Sequence, residues 1–170
     1  PWINEQASVK KTGKVYTASG LNEKLRFLRY DPGTYFAPHY DGSYIRTEGA
    51  GVGEKSYVTL QLYLNDGFEG GSTRFVSDDA EEEEVDARVK ASENSAGGVV
   101  KVVPRTGSAL LFQHDCLHEG APVRAGRKYT MRTDVMYTAH KIEPQQNVEG
   151  SLLDYLYDCV AAIATVFVRH

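Results

Sequence analysis

The sequence is poor in cysteine, has no excess of basic charge and contains no long uninterrupted apolar run. Its only cysteines are Cys116 and Cys159, too few for a disulfide framework or a Cys-rich zinc site. Both are expected to be free thiols packed in the interior, as unpaired cysteines usually are. An intracellular location is favoured, although the compartment stays open. The formal charge of -4 disfavours a nucleic-acid partner, because no overall positive field attracts phosphates.

The 170 residues and 41% hydrophobic content suffice for one substantial core but not for two comfortable domains. We therefore predict a single domain over residues 1–170, with a core at about 25–137. The chain begins at Pro1 without Met or a charged leader, which indicates a processed form or a fragment. The tail at about 151–170 is apolar on most turns but is interrupted by two aspartates. A helix packed on the sheet is predicted there, and a membrane span is disfavoured.

From Leu25 onward, short apolar runs rich in Tyr, Val and Thr alternate with Gly, Pro and Asp, a pattern typical of an antiparallel sandwich or barrel. The predicted strands are 24–30, a short strand that carries His39, 56–65, 72–76, 99–103, 108–113 and 129–137. In the strand 56–65 one face is aliphatic, and the other carries Tyr, Thr and Gln. This polar face either meets water or lines a pocket if the sheet closes over a site.

Two segments between these strands are predicted to be loops. Residues 42–55 are rich in glycine and follow directly after His39-Tyr40-Asp41, where loops often act as lids. Residues 77–98 include the acidic run 81–84 and cannot bury enough apolar surface to fix a structure. A solvated loop is predicted there, with the option of a short helix at 82–91.

The His-x-Asp motif is the strongest chemical signal in the chain. Residues two apart on a strand project to the same side, so His39 and Asp41 can grip one ion together. Three histidines compete for the role of third ligand: His114, His118 and His140. The order of the strands favours His118, because it precedes a Lys128-bearing strand that can run back beside the His39 strand. His114 is the alternate.

Two imidazoles and one carboxylate form the facial triad of non-haem Fe(II) oxygenases, which leaves coordination positions open, although the same ligands also suit Zn, Mn, Ni or Co. Lys128 enters an otherwise apolar strand, where a buried cation requires a counter-charge that a dicarboxylic co-substrate would supply. The alternative is a surface lysine that points outward. Arg132 shares a face with Lys128 and Asp134, so it could take that role or pair with Asp134.

Several ordered segments carry a resemblance to a known family. They are Leu28–Gly33, Phe36–Asp41, Leu62–Asn65, Glu69–Phe75 and His118–Gly120, followed by Lys128 and Tyr129. With them the chain resembles the prolyl 4-hydroxylase-like 2-oxoglutarate- and Fe(II)-dependent dioxygenases, over roughly residues 25–137.

The resemblance implies a mainly β fold, a double-stranded β-helix or jelly roll with flanking helices. It also implies a catalytic metal centre and a co-substrate site next to it. The residues that would contact Fe(II) are His39, Asp41 and His118, and those that would contact 2-oxoglutarate are Lys128, Tyr30, Tyr63 and, as the alternative to Lys128, Arg132.

The activity implied is hydroxylation of a substrate C–H bond by O2, with release of succinate and CO2 and with ascorbate as a helper that re-reduces iron. A prolyl residue of a protein or peptide is the favoured substrate. One alternative is the same chemistry on a small molecule or another residue. The other is a non-catalytic metal-binding jelly-roll module, which the intact set of residues disfavours because a binding module needs no open coordination positions.

Overall fold

A computed structural model describes residues 8–9, 14–76, 100–141 and 164–167. In these ranges the chain forms strands, turns and loops without a helix, and hence without a helix long and apolar enough to cross a membrane. The strands are β1 Ser8–Val9, β2 Lys14–Leu21, β3 Arg26–Tyr30, β4 Phe36–His39, β5 Lys55–Tyr63, β6 Glu69–Gly70, β7 Thr73–Phe75, β8 Val100–Val102, β9 Ser108–Gln113, β10 His118–Gly120, β11 Val123–Ala125, β12 Lys128–Lys141 and β13 Ala164–Phe167.

The larger sheet has seven strands built around β12. Six of them run in the order β1-β2-β12-β5-β9-β13, and β3 pairs with β12 as well. One edge of β12 therefore pairs with β3 near its start and with β2 near its end, while its other edge pairs with β5. A four-stranded sheet has the order β4-β10-β7-β8, and β6 and β11 form a two-stranded ribbon.

The core lies between the two larger sheets, because side chains from both form one buried cluster. Its members are Tyr63, Leu110 and Phe112 of the larger sheet, Phe75 of the smaller sheet and Cys116, with Val100 and Val102 packed against them. Phe75 and Phe112 meet edge to face across the layers, with ring centroids 5.1 Å apart. The predicted mainly β, jelly-roll class is confirmed, whereas its flanking helices are absent from the described residues.

The polar side of β5 faces inward. Thr59 and Tyr63 are fully buried, whereas Leu64, on the aliphatic side of the predicted strand, is 39% exposed. This burial is possible because both hydroxyl groups make hydrogen bonds in the interior. The sequence left open whether this polar face meets water or turns toward the interior, and the structure shows that it turns toward the interior.

The predicted C-terminal helix is wrong where the structure describes that segment. Ala164–Phe167 is a strand, and it pairs antiparallel with β9. Thr165 and Val166 are β-branched and suit a strand, and β13 covers the edge of β9 that β5 leaves unpaired. The rest of the tail, Cys159 and the acidic loop with its optional helix at 82–91 lie outside the described residues.

The glycine-rich loop after Asp41 is folded back on itself. The backbone N–H of Arg46 donates to the carbonyl of Glu54, and the N–H of Gly53 donates to the carbonyl of Arg46, each over 2.9 Å. The Arg46 side chain also pairs with Glu54 at 3.1 Å and with Glu23 at 3.0 Å. The base of this loop is therefore tied to the chain before β3, and its role as a lid stays a prediction.

Gly70 offers a test of the close packing between β6 and the backbone around β11. Its φ is +79°, and a Cβ there would lie 2.3 Å from the carbonyl oxygen of Pro122. Gly33 has a similar φ of +86° but open space around it. We expect Gly70→Ala to lower the free energy of unfolding by about 1–3 kcal/mol more than Gly33→Ala, because only Gly70→Ala adds a backbone clash to the conformational strain.

The measurement is urea-induced unfolding of both variants and the wild type. Equal losses in the two variants would contradict the proposed clash and leave only the cost of a positive φ.

Candidate metal centre and adjoining cavity

Two neighbouring strands bring the candidate ligands together. β4 and β10 are antiparallel neighbours, and their register places His39 opposite His118. Asp41 lies just past the end of β4, where its backbone N–H donates to the carbonyl of His114 over 3.0 Å. One ligand atom from each of His39, Asp41 and His118 lies within 4.8 Å of the other two. All three side chains are thus close enough for one ion to contact them.

The structure separates His118 from the other two candidate histidines. His114 points its Nε2 toward Asp134, 3.6 Å away, and is not part of the three-residue cluster. His140 is exposed near the far end of β12. The strand order from which His118 was predicted as the third ligand is wrong, however. The strand that carries Lys128 does not run beside the His39 strand β4, because it pairs with β3 and β5 in the other sheet. That the three clustered residues bind metal stays a prediction.

Both clustered imidazoles are held in the tautomer that suits a metal ligand. The Nδ1 of His39 lies 2.8 Å from the carbonyl oxygen of Ala37, and the Nδ1 of His118 lies 2.9 Å from that of Cys116. A carbonyl oxygen can only accept, so each Nδ1 carries the hydrogen and donates it. The other ring nitrogen, Nε2, faces the Asp41 carboxylate in both side chains, at 3.6 Å in His39 and 3.8 Å in His118, and is the atom left to contact an ion.

The Asp41 carboxylate is buried and strongly held. Its side chain is only 2% exposed. Thr59 Oγ1 donates to Oδ2 over 2.5 Å, and Nη2 of Arg132 lies 2.6 Å from Oδ1. Burial by itself would raise the pKa of this carboxyl, but the contacts with His39, Thr59 and Arg132 together hold it well below its usual range. The group is therefore an anion near neutral pH.

His118 sits in apolar surroundings that favour its neutral form. Its ring contacts Phe112 edge to face at 4.5 Å between centroids, and Phe75 lies 6.0 Å away. Burial lowers the pKa of His118, against the opposing effects of the Cys116 carbonyl and the Asp41 charge. The neutral imidazole is the form that binds a metal ion.

Lys128 lines the same cavity as His39 and His118, and it is buried without a carboxylate partner among the described residues. It is 3% exposed, and its Nζ donates to the carbonyl of Gly71 over 2.7 Å. The same atom lies 5.2 Å from the ring centroid of Tyr30 and 5.6 Å from that of Tyr63. Burial lowers its pKa to about 8. An ammonium in this position would be stabilised by a bound anion.

One cavity is lined by His39 and His118 of the three-residue cluster and also by Lys128, and it encloses about 400 Å³ together with its open mouth. It is lined by Leu28, Tyr30, Phe36, His39, Gln61, Thr73, Phe112, His118, Glu119, Gly120, Lys128 and Arg132. Tyr63 is buried beside it, with its hydroxyl 2.8 Å from Thr73 Oγ1. Burial raises the pKa of Tyr63 to about 12 and also raises that of Tyr30, so both phenols stay neutral hydrogen-bonding groups.

Among the described residues, Arg132 has carboxylate partners, whereas Lys128 has none. It contacts Asp41 and, more distantly, Asp134 at 3.9 Å. A second buried ion pair, Arg74 with Glu119 at 2.5 Å, joins β7 to β10 beside His118. The charge of Glu119 is thus already matched by Arg74. Of the two candidate cations for a co-substrate carboxylate, Lys128 is the one without a carboxylate within ion-pair distance in the described chain.

Sequence reasoning missed the individual roles of several residues around the cluster. Thr59 was recognised only as part of a polar strand face, although it donates directly to Asp41. Thr73, which links Gln61 and Tyr63, and Glu119, which lines the cavity, were not singled out. The polar face of the predicted strand 56–65 was the signal in the sequence that pointed to such residues. Their individual partners could not be predicted, since the residues that Thr59 and Thr73 contact are distant in sequence.

Comparisons with known proteins agree on one family. The model of the 2OG-Fe(II) oxygenase superfamily matches residues 25–133. Two Arabidopsis thaliana proteins named probable prolyl 4-hydroxylase are similar to the chain. Number 3 is 32% identical over 117 residues, and number 10 is 33% identical over 118 residues. Each alignment covers 64% of this chain, and the chain spans only about 40% of the length of these relatives.

Among solved structures, a Pseudomonas putida prolyl-4-hydroxylase has 21% sequence identity and a TM-score of 0.45. That similarity covers 68% of this chain and 54% of the other.

A pair of buried threonines tests the hydrogen bond to Asp41. Thr59 and Thr130 are both almost fully buried, but Oγ1 of Thr130 has no hydrogen-bond partner among the described residues. We expect Thr59→Val to lower the free energy of unfolding of the metal-free protein by about 1.5–3 kcal/mol, because it removes a donor to a buried charge. Thr130→Val should cost little, since no hydrogen bond is lost.

Chemical unfolding of both variants measures the difference. A Thr59→Val variant as stable as Thr130→Val would show that the hydroxyl contributes nothing to holding Asp41.

Proposed function

Because the chain belongs to the 2OG-Fe(II) oxygenase superfamily, we propose that it uses Fe(II), 2-oxoglutarate and O2 to hydroxylate a substrate C–H bond. The favoured substrate is a prolyl residue of a protein or peptide. One observation carries the proposal: the atoms of His39, Asp41 and His118 converge within 4.8 Å, and a buried lysine, Lys128, lines the same cavity as the two histidines. A metal and a dicarboxylate would occupy this cavity together.

The donor set fits Fe(II). His39 and His118 would each offer a neutral Nε2, and Asp41 would offer a carboxylate oxygen, leaving the remaining positions of a six-coordinate ion open. Fe(II) bound there supplies the redox chemistry that couples oxidation of 2-oxoglutarate to succinate and CO2 with hydroxylation. Ascorbate would serve to keep the iron reduced.

The chain's own contribution is to orient the co-substrate and to limit the access of water. Lys128 would bind the distal carboxylate of 2-oxoglutarate, because its ammonium is buried and has no carboxylate partner among the described residues. Tyr30 and Tyr63 flank that ammonium and would pack along the co-substrate. Arg132 lines the same cavity but is already paired with Asp41, so it is the weaker candidate for this carboxylate.

Two observations support a prolyl substrate over a charged one. The relatives at 32% and 33% identity are named probable prolyl 4-hydroxylases. Phe36, which lines the cavity, is 43% exposed and packs on His39 with ring centroids 4.2 Å apart, and Tyr35 and Tyr40, next to these residues in sequence, are also exposed. Exposed aromatic rings are the surfaces on which proline-containing segments dock.

Turnover of 2-oxoglutarate tests the enzyme class. Protein loaded with Fe(II) under nitrogen is expected to form succinate after O2 is admitted, and to form more when proline-containing peptides are present. Asp41→Ala and His118→Ala should fall to the rate without enzyme, because each removes a ligand. His140→Ala is the matched control, since this histidine is exposed and lies outside the cluster.

The result also separates the alternatives. Stimulation by small molecules or by other residues, with proline peptides inert, would keep the chemistry and reject the prolyl substrate. Metal binding without any 2-oxoglutarate binding or turnover would reject the enzyme and favour a metal-binding jelly-roll module.

The pH dependence of co-substrate affinity tests Lys128 separately. Its pKa is lowered to about 8, so the charged form that attracts a carboxylate is present below pH 8 and is lost as pH rises. The apparent Kd for 2-oxoglutarate should therefore be roughly tenfold weaker at pH 9 than at pH 6.5, in proportion to the protonated fraction. Calorimetric titration of the Co(II)-substituted protein measures it.

Two variants serve as controls for this titration. Lys128→Arg keeps its charge throughout this range and should show a flat profile, because a guanidinium does not deprotonate. Lys128→Met should bind weakly at every pH. A flat wild-type profile together with unweakened binding by Lys128→Met would exclude Lys128 as the group that binds the carboxylate, whereas a flat profile with weak binding by Lys128→Met would show only that its pKa lies above this range.

A further inference from the structure

The inward face of β12 carries two charged side chains, Arg132 and Asp134, next to the proposed metal ligand Asp41. Arg132 lies between two carboxylates: its Nη2 is 2.6 Å from Oδ1 of Asp41 and 3.9 Å from Oδ1 of Asp134. The side chains of both aspartates are only 2% exposed, and that of Arg132 is 19% exposed. A guanidinium held between two buried carboxylates is strongly restrained in position, because leaving either anion unpaired in the interior would be costly.

Asp134 is a buried strand residue with further basic neighbours, although its Oδ1 has no hydrogen-bond partner among the described residues. It belongs to the middle of β12, where it pairs in register with Thr59 of β5. His114 Nε2 lies 3.6 Å from its Oδ1, and Nη1 of Arg26 lies 3.6 Å from its Oδ2. Asp134 can therefore act as an anchor for Arg132, because its own position depends on the strand and on two further basic side chains.

Asp41, in contrast, lies in a loop just past β4, and its carboxylate must be oriented by its partners. Thr59 holds Oδ2 and Arg132 holds Oδ1. Contacts on both oxygens restrict rotation of the carboxylate plane, which keeps it facing the Nε2 atoms of His39 and His118 at 3.6 and 3.8 Å. A planar guanidinium is better suited to this task than a lysine ammonium.

We propose that Arg132 is a positioning residue of the metal centre: anchored by Asp134, it holds the Asp41 carboxylate in the orientation required to bind the ion. The inference rests on the proposed metal site. It gives Arg132 a role different from binding 2-oxoglutarate, and it gives Asp134 a role through Arg132 and not through contact with metal or substrate.

The effect of removing Arg132 on metal affinity has a sign that distinguishes this role from simple electrostatics. A cation next to a metal ligand repels a divalent ion, so loss of the charge alone would strengthen metal binding. Loss of an orienting partner of a ligand weakens metal binding, typically by 10–100-fold. The direction of the change therefore reports which effect Arg132 has.

The experiment is Co(II) titration of the full chain under nitrogen without 2-oxoglutarate, followed by visible absorption and calorimetry. We expect Arg132→Met to weaken Co(II) binding by about 10–100-fold and to alter the absorption band, because the Asp41 ligand is no longer held in place. Arg132→Lys should recover only part of the affinity. Arg127→Met is the matched control, since Arg127 is 61% exposed and pairs with Asp31, and it should bind as the wild type does.

A double-mutant cycle tests the anchor. Asp134→Asn should also weaken Co(II) binding, but it should add nothing in the Arg132→Met background if it acts through Arg132. Additive losses of Co(II) affinity in the double variant would show that Asp134 does not act through Arg132. Unchanged or tighter binding by Arg132→Met would overturn the positioning role itself.

Two further measurements keep these outcomes distinct from other failures. Unfolding curves of the metal-free variants identify any variant that does not fold. If Arg132→Met does not fold, Arg132→Lys and Asp134→Asn are compared with the wild type in its place. Unchanged Co(II) affinity in both of these variants would overturn the proposal. Asp41→Ala and His118→Ala report on the site itself. If neither weakens Co(II) binding, the proposed metal site fails; if both do while Arg132→Met does not, only the positioning role fails.

Discussion

A buried carboxylate is the constraint on which the rest of the site depends. Asp41 is almost inaccessible to water, and an unpaired anion in that environment would cost several kcal/mol. Its partners come from three parts of the fold: Thr59 on β5, Arg132 on β12, and the histidines of β4 and β10. The buried hydroxyl of Thr59 on the polar face of β5 and the guanidinium of Arg132 on β12 are both explained by this one group.

The distribution of positive charge in the cavity follows from the same balance. Arg132 has carboxylate partners, and Arg74 is matched by Glu119, whereas Lys128 makes its hydrogen bond to a carbonyl and lies over two aromatic rings. Within the described residues the cavity is thus lined by two of the three clustered residues, His39 and His118, and by a cation without a carboxylate partner, Lys128. A ligand that bridges these groups would have an anionic group to place on Lys128 and oxygen atoms to offer a metal.

The family match and the fold cover different parts of the chain. The superfamily model matches residues 25–133, which contain the three proposed metal ligands and Lys128. Strands β2 and β13 lie outside that range, yet they extend the larger sheet on either side by pairing with β12 and β9. They cover edges that would otherwise present unpaired backbone groups.

The sequence by itself determined what depends on local chemistry: the alternation and turns that define most strands, the His39-x-Asp41 motif, and a lysine in an apolar strand. Only the tertiary structure decided what depends on pairing between distant segments. His114 and His118 are near in sequence, and the register of β10 with β4 is what places His118 opposite His39. The partner of Arg132, the inward turn of Thr59 and the strand at Ala164–Phe167 follow in the same way from neighbours across the sheets, because hydrogen bonding and charge pairing between strands act in space and leave no local pattern in the sequence.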